Sequence, residues 1–276
     1  MSPWRPGATA ARDTGWHEGR QEPRTGRRDP RTRGRSRRTA AVAAALRWGA
    51  PRLPFVESEV AGLGELVRPG AVCVDIGAEY GLYTWVLSAL AGPPGHVHSV
   101  EPLPGPARWL RTVSRLLGSG NVTVHRTALG AGSGHGTLSL PRRRGLPVHG
   151  RAYLTEGADG PGPNAEFRSA RPVPVPLRTL DQLAAEQRLR RVDFVKADVE
   201  GAELAVLAGG SRTLRRHRPT LLLEIEGRHL AKYGARPDDL LRHLGRYGYR
   251  AHRRDGGRWT AVARISDDCR NYLFTT

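Results

Sequence analysis

The chain has 276 residues, 38% of them hydrophobic, enough to bury one substantial core. Its formal net charge is +18, but Lys196 and Lys232 are the only lysines, so arginine supplies nearly all of the 44 basic residues. An excess of one basic residue type reads as compositional bias and a solvated basic surface rather than a nucleic-acid signature. Two cysteines exclude a disulfide framework and a cysteine metal cluster, and no apolar run reaches the roughly 18 residues of a membrane span. The expected location is cytoplasmic, with no membrane partner.

Residues 1–38 carry Arg, Gly, Pro and Thr without a period and read as a disordered basic tail; residues 1–40 hold eleven arginines against four acids. "SRRTAAVAAALRWGA" (Ser36–Ala50) has a faint twin-arginine look. Its apolar part is only Thr39–Leu46, so it is read as a leader helix within a helical segment, residues 39–70. Val56, Val60, Leu63 and Val67 recur at helical spacing, which predicts a helix over Phe55–Val67.

From residue 71 to 276, strand and helix alternate. "AVCVDIG" (Ala71–Gly77) is a continuous apolar run, the pattern of a strand buried on both faces, with Cys73 as a small core residue. "LYTWVLSALAG" predicts a helix, "HVHSVEP" (His96–Pro102) a second strand, and "PARWLRTVSRLLG" a helix with Leu110, Val113, Leu116 and Leu117 on its apolar face. "NVTVHRTAL" supplies a third strand. The rhythm breaks over residues 141–176, rich in Arg, Gly and Pro, read as a lid over a cleft or as a spacer. It resumes with a helix at Thr179–Gln187, a strand at Val192–Asp198, the helix "GAELAVLAGG", a strand at Thr220–Glu226 and a helix around Pro237–Tyr247. "YRAHRR", a "DGG" turn signal, "RWTAVAR" and "NYLFTT" read as antiparallel strands. The expected fold is α/β, a doubly wound, mostly parallel, Rossmann-like sheet with a terminal antiparallel hairpin.

In such sheets ligands bind beyond the carboxyl ends of the strands. Asp75, Gly77 and Gly81 end the first strand, the glycines letting the backbone turn tightly and a ligand approach. Glu101 closes the second strand, where a carboxylate can accept both hydroxyls of an adenosine ribose. Glu79 stands where the dinucleotide fingerprint G-x-G-x-x-G needs its middle glycine, and a carboxylate repels a pyrophosphate. An adenosine ligand with a cationic sulfonium, S-adenosylmethionine, fits better. Asp198, Glu200 and Glu203 crowd three carboxylates into six residues at the end of the fourth strand, although a helix N-terminus also stabilises such acids.

"VDIGAEYGLYT", "VHSVEPLP", "TLDQL", "VDFVKADVEGAELAVLAGG" and "PTLLLEIEG", in this order, resemble the FkbM family of S-adenosylmethionine-dependent methyltransferases, from about Phe55 to the final "NYLF". The resemblance implies a class I methyltransferase sheet and methyl transfer to hydroxyls of sugars, glycans or secondary metabolites. One departure is that Glu79 replaces the family's usual Asn. On this reading Asp75, Gly77, Ala78, Gly81, Tyr83, Thr84, Glu101, Pro102 and Ala128 bind the cofactor. Asp198, Glu200 and Glu224 are the catalytic candidates, with Asp198 the first choice to orient the acceptor or take its proton. His149 and His217 are histidine alternatives, and Glu226 lies close by in the chain. Asp198 with Glu224 is also weighed as a divalent-ion pair, but no metal site is assigned. The expected partner is a small-molecule or glycan hydroxyl acceptor. A nucleic-acid methyltransferase is the alternative, against which no D/N-P-P-Y/F motif occurs. A non-catalytic cofactor-binding module is the third reading. Oligomeric state is left open.

Overall fold

The computed structural model describes residues 30–50, 52 and 57–276. Its elements in chain order are α1 (Pro30–Gly49), α2 (Glu59–Leu66), β1 (Val72–Ile76), α3 (Leu82–Ala91), β2 (His96–Val100), α4 (Pro104–Leu117), β3 (Val122–His125), β4 (Ala128–Leu129) and β5 (Gly134–Arg143). β6 (Leu146–Pro147), β7 (Tyr153–Leu154), β8 (Ser169–Arg178), α5 (Leu180–Glu186), β9 (Phe194–Ala197), α6 (Glu203–Ala208), α7 (Ser211–His217) and β10 (Thr220–Glu224) follow. α8 (Gly227–Leu230), α9 (Pro237–Gly245), β11 (Arg250–Asp255), β12 (Arg258–Val262) and β13 (Asn271–Thr275) complete the series.

Eight strands form the main sheet in the order β3-β2-β1-β9-β10-β13-β11-β12. The first five are parallel, β13 runs antiparallel to β10, and β11 and β12 form a hairpin through Gly256 and Gly257, both at positive φ. The doubly wound sheet and terminal hairpin expected from sequence are present; β13 adds a strand between the hairpin and β10. Strand alternation divides the core between two faces. Cys73, Phe194, Leu222 and Leu273 face α1, α2 and α3 through Ala43, Val60, Leu63, Val86 and Leu87. Val74, Ile76, Val195, Leu221, Leu223, Tyr272 and Phe274 face α5, α6, α7 and α9 through Leu183, Val206, Leu214, Leu240 and Leu244. Parallel strands covered on both sides need such continuous apolar runs, which is why they stood out.

Several boundaries differ from expectation. The tail expected over residues 1–38 falls outside the described residues up to residue 29, and α1 begins at Pro30. Its buried positions Thr39, Ala43 and Gly49 give it one packed face, and the Thr39 and Ser119 hydroxyls hydrogen-bond at 2.7 Å. Phe55 and Val56 lie outside the described residues, and α2 starts at Glu59. Leu116, expected on the apolar face of α4, is 64% exposed, whereas Leu110 is buried.

The larger correction concerns residues 141–176. They are not a spacer loop: with their flanks they build a second sheet, ordered β4-β8-β5-β6 with β7 on β5. Pro172, Pro174 and Pro176 alternate with Val173, Val175 and Leu177, so the valines turn inward while the prolines are exposed. β8 pairs with β5 along its length but with β4 only at Leu177 and Arg178, leaving an open edge where a proline nitrogen needs no partner. Leu138, Leu140, Leu154, Val173 and Val175 pack on Ala128 and Leu103, so this sheet roofs the carboxyl end of β2.

At the edge of the main sheet, His98 Nδ1 and His125 Nε2 lie 3.1 Å apart with stacked rings. Burial pushes His98 down to about 3 and His125 down to about 4, helped by nearby positive charge. Both lie below the ~6.5 of an unfolded histidine, so their stabilisation is complete above that pH and is lost as pH falls toward the folded values. His98→Phe is therefore expected to shrink the stability lost between pH 7 and pH 5 by about 1–2 kcal/mol, read from urea melts at the two pH values. The turn after β1 gives a second test. Gly77 has φ +79, and a Cβ there would sit 1.8 Å from the Asp198 carbonyl oxygen. Gly77→Ala should cost about 2–4 kcal/mol or prevent folding, as followed by thermal melting.

Candidate functional site

The β1 turn is fixed from both sides. The N–H groups of Gly77 and Ala78 donate to the Val100 carbonyl at 3.0 and 3.1 Å, and Asp198 N–H donates to the Ile76 carbonyl at 3.0 Å. This brings the carboxyl ends of β2, β1 and β9 side by side. The main cavity lies above them, lined by Gly77, Glu79, Glu101, Pro102, Ala128, Asp198 and Glu200 and roofed by Leu138, Leu154 and Gly150. A smaller pocket adjoins it across Gly77, lined by Glu57, Asp75, Ala78, Tyr83, Lys196 and Asp198.

Glu101 is buried, and its two oxygens accept from Leu103 N–H at 2.7 Å and Glu79 N–H at 3.0 Å. Burial pushes its carboxyl up to about 7 against those two donors. Each oxygen retains a lone pair, so the group is held in place with capacity left for hydroxyl donors. Ala128 and Pro102 line the apolar part of the same cavity. Asp75 borders the smaller pocket, its oxygen accepting from the Thr84 hydroxyl at 2.6 Å, and burial pushes it up to about 6.

Three sequence expectations change here. Gly81, at φ +91, does not make room for a ligand: a Cβ would strike the Trp85 indole at 2.5 Å and Leu110 at 2.9 Å. Thr84 is fully buried behind Asp75, also bonded to Ser99 at 2.8 Å, and lines neither cavity. Glu203 is turned into its own turn, accepting from Val199 and Gly201 N–H at 3.3 and 3.2 Å, so it shapes the loop. Of the histidines, His149 reaches the main cavity and bonds the Tyr80 hydroxyl at 2.9 Å, whereas His217 lies at the end of α7 away from it.

Beneath the smaller pocket is a polar network that sequence reasoning missed in part. Lys196 is buried and donates to Asn271 Oδ1 at 3.1 Å; Asn271 donates to Glu57 at 2.8 Å, which also accepts the Tyr83 hydroxyl at 2.5 Å. Burial disfavours the Lys196 ammonium, but Asp198, Glu57, Glu224 and Asp75 outweigh it and hold it charged. One carboxylate oxygen each from Glu57, Asp198 and Glu224 lies within 4.8 Å of the others, with the Lys196 charge supplied from below. Burial raises the carboxyl pKa of both Asp198 and Glu224, and the neighbouring Asp198 charge raises Glu224 further. Lys196 was visible in "VDFVKAD"; Glu57 and Asn271 carry no local signal, because they reach the site from 214 residues apart.

Residues 75–251 match the Methyltransferase FkbM domain family. AmbE, the AMB antimetabolite synthetase of Pseudomonas aeruginosa, is 26% identical over 230 residues, covering 71% of this chain and 10% of that protein. The chain thus spans about a tenth of the length of this curated relative. Among solved structures, the methyltransferase FkbM of Methylobacillus flagellatus KT aligns with a TM-score of 0.48 at 16% identity, over 90% of this chain and 58% of that one. The O-methyltransferase of Bacillus cereus, in complex with SAH, aligns at 0.42 and 14%, over 87% and 89%. The family match covers well over half of the chain and contains the turn at Gly77, Glu101 and the Asp198 turn. The chain belongs to the FkbM methyltransferase domain family.

Proposed function

We propose that the protein transfers the methyl group of S-adenosylmethionine to a hydroxyl oxygen of a sugar, glycan or secondary metabolite. The observation that carries this reading is the cluster of Asp198, Glu224 and Glu57, whose carboxylate oxygens lie within 4.8 Å of one another where the cavity meets the pocket that holds Lys196. A hydroxyl attacking a sulfonium methyl must be aligned and must lose its proton, and little else is asked of the protein. The AmbE relative, an antimetabolite synthetase, supports a secondary metabolite among these acceptors.

The residues fit the cofactor. Glu101 offers its free lone pairs to the ribose hydroxyls, while Pro102, Leu103 and Ala128 give an apolar seat for the adenine. Asp75, Gly77 and Ala78 face the amino-acid end, and Tyr83 borders it through the smaller pocket. The bound cofactor supplies an electrophilic methyl. Asp198 then accepts the acceptor hydroxyl's proton, with the Glu224 carboxyl within 4.8 Å of it, and Glu200 lines the cavity next to it. The nucleic-acid reading loses support: no Lys or Arg among the described residues lines the main cavity, whose four carboxyl groups would repel a phosphate backbone.

Two measurements test this. Glu101→Gln should weaken cofactor binding by about 1–3 kcal/mol in a calorimetric titration, the scale of a lost charged acceptor. Wild-type affinity in that variant would remove Glu101 from the ribose site. Asp198→Asn should lower kcat with a hydroxylated acceptor by about 10²–10⁴-fold while cofactor affinity stays within about threefold. Full turnover in Asp198→Asn would transfer the role to Glu200 or Glu224, and lost cofactor binding would place Asp198 in the cofactor site.

A further inference from the structure

The main cavity is acidic in a strongly basic chain. Glu79, Glu101, Asp198 and Glu200 line it, and none of the 44 Lys and Arg residues does so among the described residues. Glu79 is the least expected of these. Its backbone has φ +44, a left-handed conformation that costs a non-glycine residue free energy, least for Asn or Asp. It is nevertheless anchored: its N–H donates to Glu101 at 3.0 Å, and its carboxylate lies against Gly150, where a Cβ would come within 3.4 Å. No Lys or Arg lies within ion-pair distance of it among the described residues, whereas Glu200 meets Arg151 at 4.0 Å and His229 at 2.8 Å. Burial, with the neighbouring charge of Glu200, raises the Glu79 carboxyl pKa. A half-buried carboxylate that lacks a cation and is repelled by its neighbour is completed by a cationic ligand.

The methyl donor and its product differ by one methyl group and one positive charge. S-adenosylmethionine carries a sulfonium, S-adenosylhomocysteine a neutral thioether, and both carry the same adenosine and the same amino-acid tail. Any repulsion between Glu79 and the tail's carboxylate is common to the two ligands and cancels in the ratio of their affinities. What remains in that ratio is the interaction with the sulfonium charge.

We propose that Glu79 makes this cavity selective for the cationic methyl donor over its neutral product. The proposal rests on the cavity assignment made under Proposed function. The site then discharges its ligand's charge on turnover and thereby loosens its own grip on the product.

Calorimetric titration of wild type, Glu79→Gln and Glu79→Asn with S-adenosylmethionine and, separately, S-adenosylhomocysteine tests this selectivity. Glu79→Gln removes the charge at nearly constant size; Glu79→Asn removes it while easing the left-handed backbone. Both variants are expected to bind the donor about tenfold more weakly, the scale of one charge pair in a partly buried site, and the product within about threefold of wild type. Equal losses for both ligands in both variants, with unchanged melting temperatures, would show that Glu79 only shapes the loop and would overturn the proposal. So would a gain in donor affinity, which would mark Glu79 as a repulsive group. Wild type that bound neither ligand would remove the cavity assignment and the proposal together, an outcome distinct from the other two.

Discussion

The backbone contact between the turns after β1 and β9 sets the geometry of the whole site. Gly77 can approach the Asp198 carbonyl only because it has no side chain, and Asp198 N–H closes the gap by donating to Ile76. Gly77 and Ala78 in turn share the Val100 carbonyl, so three neighbouring strands end in register. The carboxyl groups of Asp75, Glu101 and Asp198 are thereby held by main-chain geometry rather than by one another, a rigid way to place like charges close together. The helices need only cover the two faces of the sheet, which their leucines and valines do.

Electrostatics divides the molecule in two. Arginines crowd the surface and the sheet of β5 and β8, while the described centre is acidic, with Lys196 and Lys232 buried beside its carboxylates. Lys196 lowers the cost of keeping Asp198 charged away from water, and Asn271 fixes the ammonium in direction. Removing solvent from such a centre strengthens every remaining interaction within it. The second sheet provides that exclusion, because Leu138 and Leu154 form the roof of the cavity.

The strand tips were legible because a parallel sheet buried on both faces writes itself as short continuous apolar runs ending in Gly or an acid. Asp75, Glu101 and Asp198 were found this way, and in the structure Asp75 stands in register between Ser99 of β2 and Lys196 of β9. The second sheet was not legible. Its strands alternate valine with proline, and proline ordinarily argues against a strand unless one edge is open. Gly81 was legible as a turn but its reason was not, since the obstruction comes from Trp85 one turn later and from Leu110 on another helix. Glu57 and Asn271 were invisible for a simpler cause: each is a polar residue in an ordinary local stretch, and only the folded chain makes them neighbours.

The placement of β13 carries a consequence for how the enzyme comes into being. β11 and β12 precede it in the chain, yet β13 slots between β11 and β10, and Tyr272, Leu273 and Phe274 are among the most buried side chains. During synthesis, β10 and the hairpin must wait with unpaired edges until residues 271–275 have cleared the ribosome. Because Asn271 on that strand also links Lys196 to Glu57, a nascent chain can hold its parallel strands and still lack that link. The polar network under the site is complete only with the strand that closes the sheet.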